Sequence, residues 1–277
     1  MKNRMIVVLL TGALLAAFLY TENNILTVRH ITLNLEDLPS SFSGLTIVHL
    51  SDLHGKSFGP NQEKLVSKIR AAKPDLIVFT GDLIDRKRGG EEAGLRLMDR
   101  LTKIAPTYYV TGNHEWWAGD FSALGKELVK RNVKVLANQH DRLERGEDWI
   151  CILGIDDPAV QPKALSPTEV VNRELDRARE GSSGFSILLA HRPELITIYS
   201  QHSLNVVFSG HAHGGQIRLP FLGGLIAPGQ GFLPRYSSGL YSHGNTSLVV
   251  SRGLGNSVFP QRLFNRPEII VVSLKKG

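Results

Sequence analysis

The stretch FSGHAHGGQI, residues 208–217, sets His211 and His213 one residue apart among glycines at the end of an apolar run. On an extended backbone, residues i and i+2 point to one side, so this spacing offers two imidazoles to a shared ligand. The pattern means little without partners. They are supplied by four other segments that run apolar and then break into polar residues: SDLH with Asp52 and His54, TGDL with Asp82, TGNHE with Asn113 and His114, and LAHR with His191. Carboxylate, amide-oxygen and imidazole donors without a thiolate suit Mn, Fe, Zn or a similar divalent ion in five- or six-coordinate geometry. Taken singly, Asp52 and Asp82 read equally as loop or capping residues, Asn113 as a turn and His191 as a core histidine. The joint occurrence at five strand ends is what those readings leave unexplained.

The elements that must carry these residues alternate. Segments 25–35, 45–55, 75–85, 107–115, 133–138, 185–193 and 205–215 read as strands. Helical spacing appears from Asn61 to Lys73, Glu91 to Ile104, Phe121 to Arg131, Thr168 to Glu180 and Glu194 to Ser200. A hairpin is expected between Leu143 and Asp156, turning at RGED, and the remainder is β-rich with glycine turns. Alternating strands and helices predict a layered α/β domain. In such domains ligands sit at the carboxyl ends of strands, where all the donors above fall.

Composition adds bounds. At 277 residues with 21% charged residues, the chain is long enough for one large α/β domain with a full core. The formal charge of +6 suits an anionic substrate or membrane surface. No pattern of specific nucleic-acid binding is present, and nothing points to a protein partner. Arg86, Lys87 and Arg88 form the one compact basic run and read as a solvated loop. The single Cys151 cannot form an intramolecular disulfide and reads as a small buried hydrophobe. Residues 1–24 carry Lys2 and Arg4, then 16 uncharged residues from Met5 to Tyr20. That run lies between a signal-peptide core and a full span of about 20 residues. It reads as an uncleaved anchor in the inner membrane, with the two cations cytoplasmic and residues 25–277 on the periplasmic side.

The ordered blocks Asp52-Leu53-His54, Gly81-Asp82, Gly112-Asn113-His114-Glu115, His191 and Gly210-His211-Ala212-His213 resemble the calcineurin-like metallophosphoesterase superfamily. The resemblance covers about residues 45–215. It extends more loosely through SRGLG and RPEI, which look like the bacterial membrane-associated branch that includes enzymes similar to UDP-2,3-diacylglucosamine hydrolases. It implies a four-layer αββα sandwich with two mixed sheets and a dinuclear metal site at the strand ends. One ion would be held by Asp52, His54 and His213, the other by Asn113, His191 and His211, with Asp82 bridging. Manganese is the first expectation, with Fe, Zn, Ni or Mg as alternatives.

The implied reaction is metal-dependent phosphodiester hydrolysis, with His114 as proton donor to the leaving oxygen. Glu115 and Asp85 are candidates to orient the ligand imidazoles, or plain surface carboxylates. Trp116 and Trp117 could wall the substrate, meet lipid, or pack in the core. Hydrolysis of a nucleotide–lipid pyrophosphate is the alternative within the same chemistry. A metal-binding scaffold without activity is the alternative outside it, disfavoured because His114 and every ligand stand.

Overall fold

A computed structural model describes residues 1–119, 121–161, 165–257 and 259–277. The chain begins with helix α1 (Lys2–Asn24) and runs through β1 (Thr27–Leu35), β2 (Thr46–Leu50), α2 (Glu63–Ala71), β3 (Leu76–Thr80), α3 (Glu91–Leu101), β4 (Thr107–Val110), the short α4 (Asn113–Trp117), α5 (Phe121–Lys130) and β5 (Lys134–Val135). A second set follows: β6 (Gln139–Arg145), β7 (Asp148–Gly154), α6 (Pro167–Arg179), β8 (Ser186–Leu189), α7 (Ile196–Gln201) and β9 (Val206–Ser209). Two small hairpins come next, β10 (Arg218–Leu219) with β11 (Gly223–Gly224) and β12 (Ile226–Ala227) with β13 (Gly231–Phe232). The chain closes with β14 (Gly239–His243), β15 (Thr246–Val250) and β16 (Glu268–Lys276).

The strands form two six-stranded mixed sheets, ordered β1-β16-β2-β3-β4-β5 and β14-β15-β9-β8-β7-β6. Period-two burial explains why they stack face to face. In β3, Leu76 and Val78 enter the apolar layer between the sheets, whereas Ile77 and Phe79 enter the layer shared with α2, α3 and α5. In β7, Ile150 and Ile152 face the other sheet, while Cys151 and Leu153 face α6. Both faces of each sheet are therefore covered, as buried parallel strands require. The three apolar layers define the expected αββα sandwich. Cys151 is buried, with its thiol against the Ser183 carbonyl.

The elements expected from the sequence are present with trimmed ends. The β6–β7 hairpin pairs Arg145 with Asp148 and turns at Gly146 and Glu147, but β6 begins earlier than expected, at Gln139. The strands are shorter than their apolar-to-polar segments suggested. Strand β2 stops at Leu50, β4 at Val110 and β9 at Ser209, so the polar residues lie beyond the ladders.

Candidate metal centre

The turns after the strands are unusual. Asp52, His54, Asp82, His211 and His213 all have left-handed backbone conformations, with φ between 47° and 62°. Each such residue costs of order 1 kcal/mol or more. The expectation that His211 and His213 share one side of an extended strand is therefore corrected: both sit in a tight turn beyond β9. Gly214 and Gly215, with φ 63° and 78°, ease that turn, whereas the role of Gly210 is clearance. A Cβ there would meet Ser51 Oγ at 1.9 Å and Asp52 Oδ2 at 2.3 Å. Gly81 does both jobs, with φ 86° and a Cβ position 2.8 Å from His191 Nδ1.

All eight expected residues converge. His54 Nε2 and His213 Nε2 are 3.0 Å apart, His213 Nε2 is 3.2 Å from Asp52 Oδ1, and His54 Nε2 is 3.6 Å from Asp82 Oδ2. In a second group, His191 Nε2 lies 3.1 Å from His211 Nδ1, 3.2 Å from Asn113 Oδ1 and 3.3 Å from Asp82 Oδ2. His211 and His213 thus go to different groups, and Asp82 belongs to both. Ligands about 2.0–2.1 Å from an ion and about 90–110° apart stand roughly 3.0–3.4 Å from one another. Five of the six separations above match that spacing, and every member is buried. The donors fit a pair of divalent cations.

The surroundings prepare the lone pairs. His191 Nδ1 faces the Thr80 carbonyl oxygen at 2.7 Å, so that nitrogen donates and Nε2 is left to the cluster. Burial pulls the His191 imidazole down, but the Asp82 carboxylate, through charge and a hydrogen bond, together with Asp52, lifts it to about 10. Burial also holds His211 and His213 well below the ordinary histidine range. Asp52 is raised by burial despite the neighbouring imidazoles. A cation binds imidazoles only in their neutral form, so metal uptake is coupled to pH.

Residues 113–117 are a helix rather than the tail of the third strand. This change of direction takes His114 away from the Asn113 donor. Its backbone amide donates to Asp82 Oδ1 at 2.8 Å, and its Nδ1 accepts from the Arg86 amide at 3.1 Å. The ring proton therefore sits on Nε2. Burial lowers the His114 imidazole to about 4, with His54 adding to the effect against Asp82 and Asp85. Glu115 does not orient an imidazole as expected. Its carboxylate accepts amide hydrogens from Gly112, Asp82 and Ile84 at 2.7, 2.9 and 3.2 Å. Asp85 does touch imidazoles, lying 3.4 Å from His54 Nδ1 and 3.6 Å from His114 Nδ1, and it is itself held by Arg88 at 2.7 Å.

The basic run is part of the site. A cavity of about 250 Å³ opens beside His114 and is lined by Asp85, Arg86, Lys87, Arg88, His114, Trp117 and Ser257. Arg86 stacks over Trp117 at 4.8 Å. Trp116, in contrast, packs on Phe121 and donates to Thr111 Oγ1 at 3.0 Å. A larger depression of about 570 Å³ around Asp176 and His202 contains none of the cluster residues. The remaining histidines are structural or peripheral: His140 meets the Ala178 carbonyl, His202 meets Asn172, and His30 is exposed.

Sequence reasoning missed Asn265. Its amide group donates to the carbonyls of His213 and Gln216 at 2.7 and 2.9 Å and so fixes the strained His213 turn. Asn265 in turn receives Glu22 of α1, whose carboxylate accepts the Asn265 amide at 3.2 Å and pairs with Arg266 at 2.7 Å. SRGLG, singled out by resemblance, packs directly on the first block: the Leu254 amide donates to the Ser51 carbonyl at 3.0 Å and the Gly255 amide to the Asp52 carbonyl at 2.6 Å.

Residues 45–215 match the family described as calcineurin-like phosphoesterase. The chain belongs to the calcineurin-like metallophosphoesterases. It is similar to the uncharacterized metallophosphoesterase YkuE of Bacillus subtilis (strain 168), at 33% identity over 92% of this chain and 88% of that one. A transmembrane protein with metallophosphoesterase domain from Danio rerio is 30% identical over 89% of this chain and 57% of its own length. Among solved structures, TT1561 of Thermus thermophilus superposes with a TM-score of 0.52 at 16% identity, over 76% of this chain and 91% of that one. This last likeness concerns the fold alone. The metallophosphoesterase family and the His/Asp cluster together indicate a metal-dependent phosphoester hydrolase with a two-ion site. Helix α1 is long and apolar enough to cross a membrane.

Proposed function

We propose that the protein is a dinuclear-metal phosphodiesterase held at a membrane by its N-terminal helix. The observation that carries this reading is the position of Asp82 Oδ2, one oxygen facing His54 Nε2 at 3.6 Å and His191 Nε2 at 3.3 Å. In this reading Asp52, His54 and His213 hold one ion, Asn113, His191 and His211 the other, and Asp82 spans both. Manganese is the first candidate, with Fe, Zn, Ni or Mg as alternatives. Bound divalent cations supply Lewis acidity toward phosphoryl oxygens and a lowered pKa for water.

The chain's own residues do the rest. His114 presents an Nε2 proton toward the cavity, and a phosphate oxyanion placed before it raises the imidazole toward the cationic form that can give up a proton. Arg86 and Lys87 at the mouth draw an anion inward. The exposed face of Trp117 beside His114 offers an apolar wall for a second esterified arm, which favours a diester over a bare monoester. Residues 1–24 serve as the anchor and 25–277 as the catalytic part, placed periplasmically on the inner membrane by the flanking Lys2 and Arg4.

The test is hydrolysis of an aryl phosphodiester, an aryl phosphomonoester and a nucleotide–lipid pyrophosphate after chelation and after return of Mn²⁺. Chelation is expected to abolish turnover and Mn²⁺ to restore it, with the diester cleaved fastest. Full activity in metal-free protein would sink the mechanism. A faster monoester or pyrophosphate would replace the substrate class.

A further inference from the structure

The loops leaving the metal centre carry large apolar side chains in solvent. Phe221 and Leu222 form the β10–β11 turn, Ile226 and Phe232 pair across the β12–β13 hairpin, and Phe259 and Phe264 lie on the segment between β15 and β16. Phe221 is fully exposed and Phe232 is 73% exposed. Isolated exposed apolar residues are ordinary, but these share one surface. Ile217 bridges Leu263, and the Arg218 amide donates to the Leu263 carbonyl at 3.0 Å. The hairpins are rooted beside the metal turn, where the Leu225 amide donates to the Gly215 carbonyl at 3.1 Å.

This rim is continuous with α1. The Phe264 ring lies 5.6 Å from the Phe18 ring, and the Gln261 side chain donates to the Leu19 carbonyl at 3.0 Å. Its charge is one-sided: residues 195–267 contain five arginines and no Asp, Glu or Lys. Arg262 is buried, Arg266 pairs with Glu22 and Arg252 with Glu268, so the exposed Arg235 is the cation this segment turns toward lipid phosphate. The length of α1 points the same way. The uncharged run from Met5 to Tyr20 has 16 residues. At ~1.5 Å per residue it covers ~24 Å of a hydrocarbon core ~30 Å thick. The shortfall of ~6 Å lies within the ~5–10 Å to which interfacial apolar faces sink.

We propose that this rim is a second membrane-contact surface, with its apolar side chains entering the headgroup–acyl boundary of the bilayer that α1 crosses. The cavity beside His114 shares the loop containing Ser257 with the rim, so the contact sets the cavity beside the lipid phosphates. That consequence rests on the phosphoesterase reading; the contact itself does not.

The test uses the full-length chain in phosphatidylcholine vesicles containing phosphatidylglycerol, prepared with or without acyl-brominated lipid. Phe221→Trp and Phe232→Trp are compared with Val129→Trp, an exposed position on α5, and with the parent protein. Bromine is expected to quench the added fluorescence at 221 and 232 several-fold more than at 129, with thermal midpoints confirming that the variants fold. Quenching at 221 and 232 no greater than at 129 overturns the proposal. Because the readout needs no turnover, failure of the hydrolytic reading would leave it standing.

Discussion

Glu115 Oε2 accepts the backbone amide of Asp82 at 2.9 Å, and the same oxygen accepts that of Gly112 at 2.7 Å. A carboxylate three residues into one turn thereby clamps the turn that carries the oxygen shared by both ligand groups. Glu115→Gln puts an amide NH₂ where one acceptor stood. Metal affinity is expected to fall by about 10–100-fold, the usual cost of disturbing a ligand's support. Metal titration monitored by bound equivalents checks it; unchanged affinity would reduce the clamp to a packing contact.

Asp82 and Asp85 separate sharing from support. Asp82→Ala removes the oxygen common to both groups, so bound metal should drop below two equivalents and turnover by more than about 100-fold. Asp85→Asn should stay within the roughly 10–100-fold range of a supporting group. Elemental analysis alongside kcat decides it. Two retained ions and near-normal rate in Asp82→Ala would remove the bridge.

His114→Ala is expected to keep its metal content while kcat falls by about 10²–10⁴-fold. The loss should be larger for poor leaving groups, which need a proton, than for activated aryl esters. His114 also lies with His54 and Asp85 in a third compact group of possible ligands. Metal loss in the variant would therefore make it a ligand, and an equal loss across leaving groups would leave it as a charge stabiliser.

His49 gives a pH dependence independent of the metals. It is fully buried, its Nε2 lies 2.8 Å from Thr80 Oγ1, and its ring meets Phe208 edge-on. Burial lowers its pKa to about 3 from 6.5. Between those values the unfolded chain binds the proton and the folded chain does not, so this contribution to stability falls as pH drops below 6.5. The slope is about 1.4 kcal/mol per pH unit. His49→Gln should lose that slope, so its thermal midpoint should approach or pass the parent's between pH 6 and 4. Parallel curves would show that His49 titrates normally.

The continuous apolar runs of β3 and β7 and the donors at the strand ends were legible because burial on both faces and ligand chemistry leave local traces. The handedness of the ligand turns was not. Asp52 and His211 adopt left-handed φ because tertiary contacts outweigh their local preference, and nothing in DLH or GHAH encodes that. The α4 helix escaped because five residues are too few for a helical period to register. Asn265 acts through the His213 and Gln216 carbonyls and Glu115 through the Asp82 and Ile84 amides, backbone groups far away in sequence, so no local pattern marked either role. Arg86 to Arg88 looked like a solvated loop because a basic run carries no mark of what it faces.

Only Ile25 and Leu26 separate α1 from β1, and Glu22 and Asn23 are gripped by the 260–266 segment. A domain on a slack linker samples every orientation, and its effective concentration at a surface is diluted accordingly. Here there is no slack. The angle between the helix axis and the cavity beside His114 is set once, when the chain folds, so the orientational entropy of aiming the cavity is not lost again at each encounter with a substrate.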